Sequence, residues 1–523
     1  MVHLNKPFFV NGETIWYLLY LPKSMAGTRA TLKVIIRDGE GQVQNDYFLA
    51  TEGQTSISGY YKLPYNASAG MYQILIWGRA LNSLREAIFA AVPIPVYNDL
   101  EPLPPKQPIV SVQNLDLPKP PTDLSSDLPL KVNVQPATPN AGQEVTVSVR
   151  VLDANGLPVP QAEVSISVTD AKLVGSSVLP ASSLLRGYPL PKTRWENGFF
   201  LRGMVVPEQD TFPDNLILAG YLPLSRRFYY SRVDDNGNAV LQFPSFYTLQ
   251  HIPLLTFPER GFTWTSAAPL RTPALPSLPY TRGVLDYLNK SRQRKIIYQL
   301  YMAVEQSMTT ADLISPFTWP EADRRIIPKD YAEFPDLKTL FAEVVTPLRL
   351  VEEADHRFRA TMRNTANRER FPEPPIFILD GQVTRDAAAV AQLQPAEIAF
   401  IDLYHDGDRV FQEFLYLADC GLVVIQSKSK RKDMEEAQVE ARLPGLQQPA
   451  TFAEPIIPEA APDLRPVQYW SGRLLTDERG MAKGRYHQSD DRSRFLIDVV
   501  VQRPSGKRQH RQLYYSLLDS GDR

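Results

Sequence analysis

The sequence predicts a mainly β protein with an α+β portion: sandwich-type β-domains, a helical segment and a compact α/β module. Three observations carry this. Short alternating runs rich in β-branched and aromatic residues recur between Gly, Pro, Asn and Asp turns. The 523 residues include 46 prolines, nearly twice the usual share, and proline is excluded from helix interiors and central strands. Apolar residues recur at helical spacing over 281–306 and 331–345, and a strand–helix–strand–strand pattern runs through 374–426.

Composition bounds the function. A chain of this length exceeds one hydrophobic core and implies three or four domains. A net charge of −2 and a pI near 6.4 argue against a nucleic-acid binder, which usually carries a basic patch. The local run Lys428-Ser429-Lys430-Arg431-Lys432 meets Asp433, Glu435 and Glu436 at once and reads as a solvated exit from a strand. The single cysteine, Cys420, sits among apolar residues with no CxxC partner and reads as a small buried hydrophobe. No apolar run is long enough to span a membrane as a helix, and no signal peptide is visible, because Met1 leads almost directly into a strand pattern.

Taken in order, the elements suggest seven segments. Residues 1–98 read as a β-sandwich, opened by a strand–turn–strand over 7–21 in which Asn11-Gly12 is a hairpin signal. Strands follow at Thr31–Ile36, Gly59–Leu63 and Met71–Trp77. The Pro-rich stretch 99–127 reads as a semi-rigid linker. Residues 128–265 read as a second, Ig-like β-domain with an insertion at 171–225 and a hairpin around Asp234-Asp235-Asn236-Gly237. Residues 266–370 read as a largely helical connection, 371–430 as the α/β module, 431–463 as a linker and 464–523 as a C-terminal β-domain.

Three motifs resemble known families. Pro7-Phe8-Phe9-Val10-Asn11-Gly12-Glu13-Thr14 resembles the opening of macroglobulin-type domains, with Asn11 where proline is usual, and Gly70-Met71-Tyr72-Gln73-Ile74 fits a later strand of that domain. Pro374–Val383, Leu393–Ile401 and Gly421–Lys428 resemble, in order, the segments of TonB-dependent receptor plug domains. Arg465–Trp470 with Leu475–Gly480, and Ser165–Asp170, are similar to segments of large bacterial envelope proteins that carry both modules. The resemblance implies macroglobulin/Ig-like sandwiches, a plug-like module, and export to the periplasm or outer membrane of a Gram-negative cell. It also implies outer-membrane or periplasmic protein partners, a TonB-dependent transporter among them.

The same resemblance sets limits. The CGEQ thioester of protease-trapping macroglobulins is not matched, since Cys420 is followed by Gly421-Leu422-Val423. Fewer than 100 residues follow Lys428, so we expect this chain not to be the transporter pore itself. Asp402, His405, Asp406 and Asp408 cluster as weak metal-ligand candidates, with a charged loop as the simpler reading. The Asp-Gly turns at Asp38, Asp153, Asp234 and Asp477 lack EF-hand spacing and read as turn chemistry. No P-loop, nucleophile elbow, zinc-protease or dinucleotide motif stands out, so no catalytic residue and no cofactor is expected. The expectation is a non-enzymatic, envelope-associated binding or scaffold protein. The alternatives are a macroglobulin-like protease inhibitor without a thioester, with 99–128 or 436–465 as its exposed loop, and a hydrolase with an unrecognised site.

Overall fold

The computed structural model describes residues 1–517 apart from 23–24, 26, 80–85, 102–128, 175–177, 180–194, 209–212, 267–274, 302–317, 332, 354–357, 430–438 and 459–460. The expected linker 99–127 and the basic run at 430–432 therefore lie largely outside the described residues. Two units are present: Met1–Asn197 with Thr272–Asp312 and Leu446–Arg523, and Gly198–Arg271 with Leu313–Gly445.

The first unit holds two β-sandwiches and a helix. In the first sandwich, a sheet ordered Val178–Leu179, Val2–Leu4, Thr14–Tyr20, Ser56–Lys62 faces one ordered Phe9–Val10, Glu86–Tyr97, Gly70–Arg79, Thr31–Arg37, Val43–Ala50. The strand Thr14–Tyr20 shows how its sequence places it. Ile15, Tyr17 and Leu19 enter the core with Leu32, Val34, Ile74 and Ile76, while Trp16, Leu18 and Tyr20 point the other way, onto Trp470 and Val500. A period of two with both faces apolar needs cover on both sides, and the second sandwich supplies it. Each such aliphatic side chain, once buried, contributes about 1.5–3 kcal/mol.

The Asn11-Gly12 turn is not a hairpin. The Glu13 N–H donates to the Val10 carbonyl at 3.0 Å, and Gly12 has φ +83°. Positive φ is confined to the glycine, which is type II geometry; the hairpin types twist differently. The chain therefore leaves one sheet and enters the other: Phe9–Val10 pairs in parallel with Val96–Tyr97, and Thr14–Tyr20 pairs with Val2–Leu4 and Ser56–Lys62.

The second sandwich corrects the expected domain boundaries. Its sheets are ordered Met481–His487, Glu144–Val151, Leu130–Gln135 and Val467–Leu475, Glu163–Asp170, Arg494–Gln502, Arg508–Ser516. Residues 464–523, expected as a separate domain, thus complete the sandwich begun at Leu130. Val145, Val147 and Val149 share one core with Tyr486, Phe495, Ile497 and Val499. Three or four strands from 130–170 cannot close two facing sheets, so the distant strands are needed to bury those valines.

Of the expected helical region, helix α1 (Arg282–Leu300) and the residues leading into it, Leu278 and Tyr280 among them, join the first unit. Thr281 caps α1, its hydroxyl accepting from the Val284 N–H at 3.2 Å. Val284, Tyr287 and Leu288 pack on Phe8, Val10 and Tyr97. The expected linker 431–463 is also built in part: Glu440–Leu443 pairs with Gln250–Pro253 in the second unit, while Gln447 bonds the Tyr60 carbonyl at 2.6 Å in the first.

The second unit contains the strands expected to continue the second β-domain. Asn238–Phe243, Phe199–Pro207 and Phe262–Ser266 form one sheet; Arg227–Arg232, Ile217–Leu222, Gln250–Phe257 and Glu440–Leu443 form another. The turn at Asp234–Gly237 again carries the chain between sheets rather than closing a hairpin, and Ile217–Leu222, inside the expected insertion 171–225, is a central strand.

The α/β module is larger than 371–430. Its sheet is ordered Arg324–Ile326, Ile398–Tyr404, Leu422–Ser427, Ile376–Leu379, Gln382–Thr384, with the Ile376–Leu379 and Leu422–Ile425 segments parallel. Here Asp380-Gly381 does form a hairpin, with φ +50° and +90° as a primed turn requires. Phe377, Leu379, Val423 and Ile425 face helices α2 (Leu337–Glu343) and α3 (Ala387–Ala391). Ile376, Ile378, Leu422 and Val424 face Ala219, Leu255 and helix α4 (Gly407–Phe414).

Candidate functional site

The four metal candidates do not converge. Asp402, 1% exposed, is held in a bidentate pair by Arg325, with Nε–Oδ1 and Nη2–Oδ2 both at 2.6 Å. The His405 imidazole meets the Thr365 hydroxyl at 3.0 Å, and burial lowers its pKa. Asp406 is the N-cap of α4, accepting from the N–H groups of Asp408 and Arg409, and Asp408 occupies the first turn, where a negative charge favours the helix. Among the described residues no group of three or more His, Cys, Asp or Glu side chains is placed to hold a metal ion. The Asp-Gly turns share one further pattern. Asp38, Asp153, Asp234 and Asp477 each accept, at Oδ1, the N–H groups two and four residues on. Cys420 is buried, its Sγ 3.4 Å from the Leu417 carbonyl, and burial pushes its thiol well above the usual range.

Two clusters that sequence reasoning missed join perturbed titratable groups across elements. The first joins α1 to the first sandwich. Glu13, largely buried, receives Lys6 in an ion pair, Arg294 Nη2 at 2.8 Å, the Tyr287 hydroxyl at 2.6 Å and the Val10 N–H at 2.8 Å. Lys6 also lies over the rings of Tyr287 and Phe9, 4.7 and 4.9 Å from their centroids. Burial would raise the Glu13 pKa, but Lys6 and Arg294 overcome it and hold it at about 2. Burial lowers Lys6 to about 8 against the pull of Glu13. At the next residue of the helix, Lys295 bonds the Asn11 carbonyl and the Asp99 carboxylate, both at 2.8 Å.

The second cluster has the residue types of nucleophilic catalysis. His3 Nδ1 lies 2.6 Å from Ser165 Oγ, and the Tyr20 hydroxyl lies 2.7 Å from the same oxygen. The Asp498 carboxylate, paired with His510, also acts on His3, raising its pKa against the larger effect of burial. Ser165 and His3 are both 0% exposed, and burial drops His3 to about 4, too weak a base to activate a hydroxyl at neutral pH. The Ser167 hydroxyl adds a bond to the Asn5 carbonyl at 2.6 Å. All of these groups lie where the strands Val2–Leu4 and Thr14–Tyr20 meet Glu163–Asp170 and Arg494–Gln502. The arrangement polar-bonds one sandwich to the other; it offers no route to a substrate.

No family model and no curated protein sequence matches the chain. Solved structures similar to it include E. coli alpha-2-macroglobulin in its native conformation, at 8% identity and a TM-score of 0.24, covering 99% of this chain and 39% of that one. Salmonella alpha-2-macroglobulin reacted with methylamine aligns at 10% identity with the same TM-score and coverage. E. coli alpha-2-macroglobulin activated by porcine elastase aligns at 9% identity and 0.24, covering 43% of that chain. The chain thus spans about two fifths of the length of these proteins, and a TM-score this low does not establish a common fold. No helix among the described residues is long and apolar enough to cross a membrane.

Proposed function

We propose that the chain is a non-enzymatic binding or scaffold protein of the bacterial cell envelope. One observation carries the reading. The perturbed titratable groups at Glu13 and at Ser165 spend their polar atoms on joints, between α1 and the first sandwich and between the two sandwiches, and the Ser165–His3 pair is closed to solvent. Groups consumed in this way rigidify a framework and leave surfaces, rather than a cleft, as the working parts.

The address in the periplasm or at the outer membrane, and an outer-membrane protein as partner, rest on the macroglobulin-type and plug-like resemblances of 7–14, 374–428 and 465–480. Within that reading the α/β module is the docking element for a TonB-dependent transporter, and the sandwiches are spacers. Crosslinking in intact envelopes followed by purification of the full chain tests it. Recovery of one defined outer-membrane β-barrel, which then binds the purified chain directly, is the expected result. Crosslinks solely to soluble proteins would overturn it.

A further inference from the structure

The outer face of the three-stranded sheet in the second sandwich holds an uncompensated block of positive charge. Alternation along each strand sends Val145, Val147, Val149 and Tyr486 inward and the intervening residues outward. Strand register arranges the outward residues in rows: Met481, Arg150 and Lys131; Lys483, Ser148 and Asn133; Arg485, Thr146 and Gln135. Arg150, Lys131, Lys483 and Arg485 are all exposed, and none forms an ion pair with a described residue. Acidic residues flank the block without entering it: Glu144 beyond one end, and Asp153 and Glu478 in the turns beyond the other.

Two features make this more than a solvated face. Arg150 and Lys131 are direct cross-strand partners, and like charges in that position destabilise a sheet. The chain as a whole is slightly acidic, so the block runs against the overall balance. Apart from Met481, the rest of the face is polar: Ser148, Asn133, Thr146 and Gln135 offer hydrogen bonds, and these rows carry no aromatic ring for stacking on bases. A sheet face with cations spread over three rows matches a surface of fixed anions.

We infer that this sheet face is a docking surface for an anionic lipid bilayer, its four cations resting on headgroup phosphates without insertion. The inference is independent of the partner proposed above, since it concerns a different module.

Flotation of the full chain with phosphatidylglycerol–phosphatidylcholine vesicles, against phosphatidylcholine vesicles alone, tests it. Binding to the anionic vesicles is expected, with loss at high salt as the surface potential is screened. Each cation removed lowers the partition coefficient about fivefold, so Lys131→Gln, Arg150→Gln, Lys483→Gln and Arg485→Gln together lower it roughly 600-fold. Neutralising the same number of exposed cations elsewhere, at Arg232, Lys329, Arg349 and Arg359, is expected to leave binding nearly unchanged. All the exchanged side chains are on the surface, and an unchanged melting profile confirms that folding is intact. Absence of binding to anionic vesicles overturns the proposal. So does equal loss in both variant sets, or binding to duplex DNA that outcompetes the vesicles.

Discussion

Glu13→Gln is the sharpest perturbation of the joint between α1 and the first sandwich. The fall of the Glu13 pKa from 4.5 to about 2 corresponds to about 3 kcal/mol of stabilisation in the charged form. The drop of Lys6 from 10.5 to about 8 corresponds to a cost of similar size, about 3 kcal/mol, for keeping the ammonium buried. The pair is therefore close to neutral as a whole, while loss of the carboxylate alone strands Lys6 and Arg294 without their shared counter-charge. At pH 7, Glu13→Gln should destabilise the joint by about 3 kcal/mol, and Lys6→Met added to it should restore at least about 1 kcal/mol.

Because the chain has two units, a single global unfolding energy is not the right observable. Native-state hydrogen exchange of the amides in Arg282–Leu300 and Thr14–Tyr20 reads the joint itself, and about 3 kcal/mol appears there as exchange faster by roughly 100-fold. The pH dependence has a defined sign. Glu13 is depressed when folded, so its contribution is complete above about pH 4.5 and is lost as pH falls toward 2. Lys6 is also depressed, so its penalty is complete below about pH 8 and is relieved between about 8 and 10.5. Unchanged exchange in Glu13→Gln, or a double variant as damaged as the two single ones added together, would refute the reasoning.

Three further outcomes follow from the packing. Gly480→Ala should cost several times more than Gly156→Ala by thermal melting: both glycines have positive φ, but a Cβ at 480 meets the Val151 carbonyl oxygen at 2.5 Å, whereas at 156 nothing lies within 4 Å. The Gly156 exchange should cost about 1 kcal/mol from backbone strain alone. Truncation after residue 463 should abolish the cooperative folding of 130–170, visible as loss of protected amides in Glu144–Val151, because its ladder partner Met481–His487 is gone. Cys420 should stay unreactive to a thiol reagent at pH 8 in the folded protein and react once it is denatured, since its thiol is buried and pushed up.

What the sequence made legible follows the range of the signal. In the α/β module each cue is local. The strand Ile376–Leu379, the Asp380-Gly381 turn, helix α3 and the closing strand Leu422–Ser427 all lie where the pattern puts them. In the sandwiches several strands were legible, such as Thr31–Arg37 and Gly70–Arg79, but Val43–Ala50 and Glu86–Tyr97 were not read, and no partners were. A period of two tells which side of a strand is buried, not which strand lies beside it. Nothing in Glu144–Val151 announces a neighbour at Met481–His487, and the Asn11-Gly12 and Asp234–Gly237 turns look like hairpins until the sign of each φ is known.

The joints were harder still. Glu13 was visible as part of a turn motif, and Arg294 and Lys295 as helix-surface charges, yet their meeting depends on how α1 docks. The run of Lys290, Arg292, Arg294 and Lys295 on one helix is a signal that could have pointed to an acidic dock but was not read as one. His3 and Ser165 have no motif linking them, and the two sandwiches bring them together.

The catalysis-like cluster at Ser165 is a structural joint between the two sandwiches. Treatment of the folded protein with a fluorophosphonate, followed by peptide mass spectrometry, tests this, because such reagents phosphonylate activated, accessible serines with loss of fluoride. The account predicts no modification of Ser165 in the folded chain and no loss of labelling in a His3→Ala variant relative to wild type. Stoichiometric modification at Ser165 that disappears with His3→Ala would contradict it.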